Sequence, residues 1–173
     1  GYPAAYHKYI SVSAIGPDYL PTTYTNYGPG CKISAPGGDI TLNSLSTGYR
    51  AQILSTVPEE LEHFGKSYGY MQGTSMACPH VSGVAALGLS YAAKLHRHVK
   101  AEEIRELLHS TSRPIESFWD MDSPKLFYKY VADLSDVHLS SMDLRNYRGQ
   151  MGEGQVDAYA FLQAVAGAGV EMT

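Results

Sequence analysis

No apolar run in this 173-residue chain approaches the roughly 18–20 residues that a membrane-spanning helix needs. Positive charge is also scarce. Thirteen Lys and Arg stand against 17 Asp and Glu, a net charge of −4, which argues against a general nucleic-acid binder, since that function wants a basic face. Cys31 and Cys78 are the only cysteines, too few for a disulfide framework, and no CxxC or Cys/His spacing suggests a zinc site. The two can pair only if the fold brings them together. There is no internal repeat and no low-complexity tract. There is also no starting Met and no signal peptide, so the chain reads as a fragment or processed piece.

What is present suits one globular core, with 44% apolar residues. Ile10, Val12 and Ala14 alternate with Ser11 and Ser13, the period of a strand. Lys32 to Ala35 reads as a short strand stopped by Pro36-Gly37-Gly38, Gln52 to Val57 as another, and Tyr68 to Met71 as a further one. Pro58 to Lys66 is an acidic loop or short helix. A long helix is expected from near Ser75 to about Leu95, with Gly83, Ala85, Ala86 and Gly88 allowing close packing. Ala101 to Ser110 is a second helix, with Ile104, Leu107 and Leu108 on one face. Asp157 suits the N-cap of a last helix, Ala158 to Val165. Strands mixed with helices indicate an α/β fold.

The most informative stretch is Gly73-Thr74-Ser75-Met76-Ala77-Cys78-Pro79-His80-Val81-Ser82-Gly83. A serine between small residues leads into a small, apolar helix expected to be buried. The start of such a helix offers unpaired N–H groups and a partial positive charge to a developing oxyanion. These eleven residues resemble the active-site serine motif of the subtilisin-like serine proteases, the subtilases. Gly1-Tyr2-Pro3-Ala4-Ala5-Tyr6 with Ile10 to Ala14, Asn26-Tyr27-Gly28-Pro29-Gly30, Ile33 to Ile40, Ile53 to Pro58, Tyr68-Gly69-Tyr70, and Gly152 to Ala158 are similar to successive family segments. The likeness covers the chain except roughly 59–67 and 115–146, which read as insertions. It implies a three-layer α/β/α fold with a mainly parallel sheet, of which residues 1–173 form the C-terminal portion.

A serine hydroxyl needs a general base, usually His, oriented by a carboxylate. In subtilases the order along the chain is Asp, His, Ser. Upstream of Ser75 stand only His7 and His63, neither in a His-Gly-Thr context, and no Asp-Thr-Gly or Asp-Ser-Gly occurs. The oxyanion Asn of the family falls before Gly1. The resemblance thus implies that Ser75 is the nucleophile, that Thr74 assists the oxyanion hole or bonds local backbone, and that Gly1 and Tyr2 form the floor of the primary specificity pocket. It also implies that Met76 is open to oxidative damage beside the nucleophile, and that Tyr2-Pro3 is cis. Cys78 reads as a small buried hydrophobe. His80 reads as a structural histidine bonded within the fold, because five helical positions turn it away from Ser75. His96 and His98 read as exposed, and Asp120, Asp122, Asp133 and Asp136 as a solvated loop without calcium-loop spacing. Gly30 and Lys32 occupy the acidic positions of a family cation site, so no metal is expected there, and no cofactor is implied.

The expectation is a secreted serine endopeptidase acting on peptides or proteins through an acyl-enzyme on Ser75. Its Asp, His and Asn would lie on the missing N-terminal part, leaving the isolated chain inert. The alternative is a non-catalytic subtilase module that binds peptides or partners. An esterase of the α/β-hydrolase type is excluded, because Ala77 stands where the Gly-x-Ser-x-Gly elbow needs glycine.

Overall fold

The computed structural model describes residues 3–4, 6–40, 48–61, 67–130 and 137–171. At its centre two short strands, β1 (Val12–Ile15) and β2 (Ile33–Pro36), run parallel, with Val12 opposite Ile33 and Ile15 opposite Pro36. A parallel bridge from Ser34 to Gln155 continues the sheet beyond β2. Parallel strands are normally covered on both faces, and these are. Alternate side chains point to opposite sides. Ala14, Ile33 and Ala35 join the cluster built by Ala77, Val81, Leu108, Phe161 and Val165. Ile15 joins a second cluster with Ile115, Trp119, Leu144 and Met151. Two buried hydroxyls cross this second side: Ser13 Oγ and Ser34 Oγ lie 2.9 Å apart, and each is 2.8 Å from the Met151 carbonyl. Their polarity is therefore satisfied inside the core.

Helix α1 (Thr74–Lys94) lies on the first face and packs on β1, β2 and α3 (Ala158–Gly167). Gly88 makes the α1–α3 approach possible, because a Cβ there would stand 2.3 Å from the Phe161 ring. α2 (Ala101–Ser110) buries Ile104 and Leu108 and turns Glu102 and Glu103 to its positive N-terminus. Asp157 caps α3, accepting from the Ala160 N–H at 2.9 Å. Three further pairs are antiparallel. β3 (Ile53–Thr56) pairs with β4 (Tyr68–Met71), and β5 (Arg97–His98) with β8 (Val170–Glu171). β6 (Lys125–Tyr130) pairs with β7 (Val137–Met142). The acidic stretch after Pro58 contains a 3₁₀ turn, Glu59–Leu61. The α/β expectation holds, with its parallel element in β1 and β2.

The segment following α2 differs from the solvated loop expected of its acidic residues. Asp120 and Asp122 are exposed, in a turn closed by the Asp122 N–H on Asp120 Oδ1 at 3.0 Å. Residues 125–142, however, include the β6 and β7 strands. The physical reason is anchorage where the segment enters β6. The Trp119 indole donates to the Tyr19 carbonyl at 3.1 Å, and Lys125 is buried. Asp133 and Asp136 lie outside the described residues.

Candidate active site

Ser75 is the second residue of α1, immediately after Thr74. Gly73 precedes them with φ 151° and ψ 163°, a conformation that glycine tolerates and other residues resist. From there the chain folds directly into helix. The Met76 and Ala77 N–H groups both return to the Gly73 carbonyl, at 3.0 and 3.2 Å. Pro79 has no N–H for the Ser75 carbonyl, so the normal i→i−4 bond is missing there. Ser75 is exposed and Thr74 half-buried. Among the described residues no hydrogen bond reaches the Ser75 hydroxyl. The hydroxyl and its own N–H stand at the positive end of a 21-residue helix.

Two cavities meet at this serine. One, of about 380 Å³, runs between β3 and the start of α1 and is lined by Ile53, Ser55, Gly69, Met71, Met76 and His80 as well as Ser75. The other, of about 860 Å³, is lined by Ile10, Val12, Asn26, Cys31, Thr74 and Cys78 together with Ser75. His80 shares the first cavity with Ser75, but its Nδ1 is 2.7 Å from the Met76 carbonyl one turn earlier. It is bonded within its own helix, as expected.

The loop before the helix is held by its neighbours. The Gly73 N–H donates to the Gly37 carbonyl at 3.0 Å, and the Gln72 side-chain oxygen accepts from the Ile40 N–H at 2.7 Å. Tyr24 hydroxyl lies 2.7 Å from the Gly37 carbonyl and also meets that of Gly38. Burial pushes the Tyr24 phenol up to about 12, so it stays a donor through the alkaline range. Nothing in the local sequence marks Tyr24, Gly37 or Gln72 as supports of the serine. Their roles come from contacts across 13 to 36 positions.

Of the sequence-singled residues, the fold brings Thr74, Ser75, Met76 and His80 together. Gly1, Tyr2 and His63 lie outside the described residues. His7 is exposed and packs on Tyr6 with ring centres 4.5 Å apart. His96 and His98 are exposed, as expected. Cys78 corrects the reading of a buried hydrophobe: it is exposed, outside the set Ala77, Val81, Gly88 and Ala92 that α1 buries in the core of this chain. Cys31 is half-buried and, like Cys78, a free thiol. Burial raises the Cys31 pKa. Among the described residues no three His, Cys, Asp or Glu side chains cluster as metal ligands, and no helix is long and apolar enough to cross a membrane.

Comparison with known proteins agrees with this geometry. The family model described as "Subtilase family" matches residues 1–148. The chain is 34% identical over 113 residues to the extracellular basic protease of Dichelobacter nodosus, covering 65% of this chain and 17% of that protein. It is 33% identical over 139 residues to the intracellular serine protease of Paenibacillus polymyxa, covering 79% of this chain and 37% of the other. Among solved structures, a protease from Pseudoalteromonas arctica superposes with a TM-score of 0.61 at 28% identity, over 95% of this chain and 38% of that one. The chain therefore spans well under half the length of these relatives. By motif, by family model and by fold, it belongs to the subtilase family.

Proposed function

We propose that Ser75 is the nucleophile of a serine endopeptidase whose acid, base and oxyanion Asn are carried by a part of the domain N-terminal to this chain. The observation that carries the reading is the placement of an exposed Ser75, its hydroxyl unbonded among the described residues, at the N-terminus of α1 between two cavities. In this scheme Ser75 Oγ attacks the scissile carbonyl while a histidine of the N-terminal part takes its proton. The carbonyl oxygen becomes an oxyanion that accepts from the Ser75 N–H. Thr74 and the N-terminal Asn complete that hole. The amine leaves with the proton returned by the histidine, and water releases the acyl group from Ser75. Peptides or proteins are the substrates, and Gly1 and Tyr2 form the floor of the primary specificity pocket. Export of the parent is part of the proposal and is supported by the extracellular name of the Dichelobacter relative.

The isolated chain has no base for Ser75 among its described residues and is inert in this account. Hydrolysis of a chromogenic peptide by the whole protein, by this chain and by whole-protein Ser75→Ala tests it. The expected result is hydrolysis by the whole protein alone. Activity of the lone chain that Ser75→Ala abolishes contradicts the division of labour. A whole protein that binds peptides without cleaving them favours a non-catalytic module.

A further inference from the structure

The Lys125 ammonium is one of the most deeply buried charges among the described residues. Its side chain is 1% exposed, and it lies 3.0 Å from Asp39 Oδ2, whose own side chain is 0% exposed. Its other partners are the Pro21 carbonyl and, at 3.5 Å, Asp18 Oδ2. Asp39 in turn accepts from the Thr23 N–H at 3.0 Å, and its own N–H donates to the Ala51 carbonyl at 2.9 Å. A buried ion pair of this kind roughly breaks even against an apolar replacement, because desolvation offsets attraction. Stability alone does not account for it, so what it holds in place becomes the question.

It holds residues 37–40. That short loop is bonded at two points to the residues directly before the Thr74-Ser75 pair: the Gly37 carbonyl takes the Gly73 N–H, and the Ile40 N–H goes to the Gln72 side chain. Gly37 leaves no space for a side chain, since a Cβ there would fall 2.6 Å from Ala14 Cβ and 2.9 Å from the Gly73 carbonyl. An unbroken path of bonds therefore runs from β6 through Asp39 to the nucleophile turn.

We infer that Lys125 is a positioning residue for Ser75: it fixes Asp39 and thereby the loop on which the nucleophile turn is seated. The inference rests on the proposed peptidase reading. It makes the segment carrying β6 and β7, which lies on the far side of the sheet from α1, a determinant of catalytic geometry.

The test uses the whole protein, N-terminal part included. Lys125→Met takes the ammonium away from the buried Asp39 carboxylate, so both the melting temperature and kcat are expected to fall. Lys125→Met with Asp39→Asn removes both charges of the pair. The melting temperature is expected to recover, while kcat stays roughly tenfold or more below that of the unmodified protein with KM within about twofold, a loss of ~10-fold being a small displacement at the reacting atoms. A double variant whose kcat also recovers overturns the inference and leaves Lys125 a structural residue only. Should the double variant fail to fold, Gln72→Met removes one of the two bonds at the other end of the path without burying a charge. A lowered kcat at unchanged KM upholds the inference, and an unchanged kcat overturns it. If the unmodified whole protein hydrolyses no peptide, the peptidase reading fails first and this inference falls with it. An active unmodified protein with unaffected variants sinks the inference alone.

Discussion

Ser75 shows how much of a site one residue's surroundings can supply, and how much they leave to others. A rigid glycine turn, a helix start and open space on both sides come from this chain. A base does not. Around it, two side chains behave in ways their positions in the sequence do not announce. Cys78, three residues on, is exposed where a buried thiol was expected, since sequence shows that a helix is apolar but not which flanks are covered. His109, at the end of α2, has its ring Nε2 buried without a partner among the described residues. Burial first, then Lys32, holds its pKa below the ordinary histidine value, with Glu153 opposing. The unfolded chain therefore binds this proton more readily than the folded one. The associated stability is full above the unfolded pKa near 6.5 and is lost as the pH falls toward the lower folded value. The melting temperature is predicted to drop as the pH falls below about 6.5, and His109→Gln to flatten part of that slope. An unchanged slope would assign the acid sensitivity to other groups.

At the scale of elements, α1 and α2 were the most legible parts. The Ala101–Ser110 helix matches its predicted bounds because its apolar spacing repeats at the helical period, and α1 begins within a residue of the expected start. Asp157 was readable as a cap because the N-cap chemistry is local. Asp157→Ala is predicted to cost about 1 kcal/mol, measurable by urea unfolding, and no change would mean that the Ala160 N–H finds another acceptor. β6 and β7 were not legible. Their stability rests on Trp119, Lys125 and Leu144 meeting distant partners, and Lys125 and Asp39 are 86 positions apart. Two glycines of α1 separate packing from propensity. Gly88→Ala drives a Cβ into the fully buried Phe161 ring, so overpacking of about 1–3 kcal/mol outweighs a helix-propensity gain of about 1. Gly83→Ala meets nothing within 4 Å and keeps that gain. Opposite shifts of the unfolding midpoint are expected for the two in this chain, and shifts of the same sign would contradict the α1–α3 packing.

At the scale of the whole molecule, one flank of α1 stands open. Cys78, Ser82, Gly83, Ala86 and Ser90 are exposed along it, with Leu87 and Leu89 each 49% exposed. Cys31 and Cys78 both look into the larger cavity beside Ser75. Small and apolar residues at this density suit a covering layer better than water, and the chain spans 38% of the Pseudoalteromonas protease it superposes on. We expect the N-terminal part of the domain to lie here. Alkylation by N-ethylmaleimide should then be fast at Cys78 in the lone chain and strongly slowed in the whole protein. Equal rates would mean that this flank stays open.

The central claim, that Ser75 is a nucleophile activated from outside this chain, is tested most directly by a fluorophosphonate probe read by intact mass, on the lone chain and on the chain assembled with its N-terminal part. The account predicts one probe per chain on Ser75 in the assembly, none on the lone chain and none on assembled Ser75→Ala. Labelling of the lone chain at Ser75, or an assembled protein that takes up no probe, would contradict it.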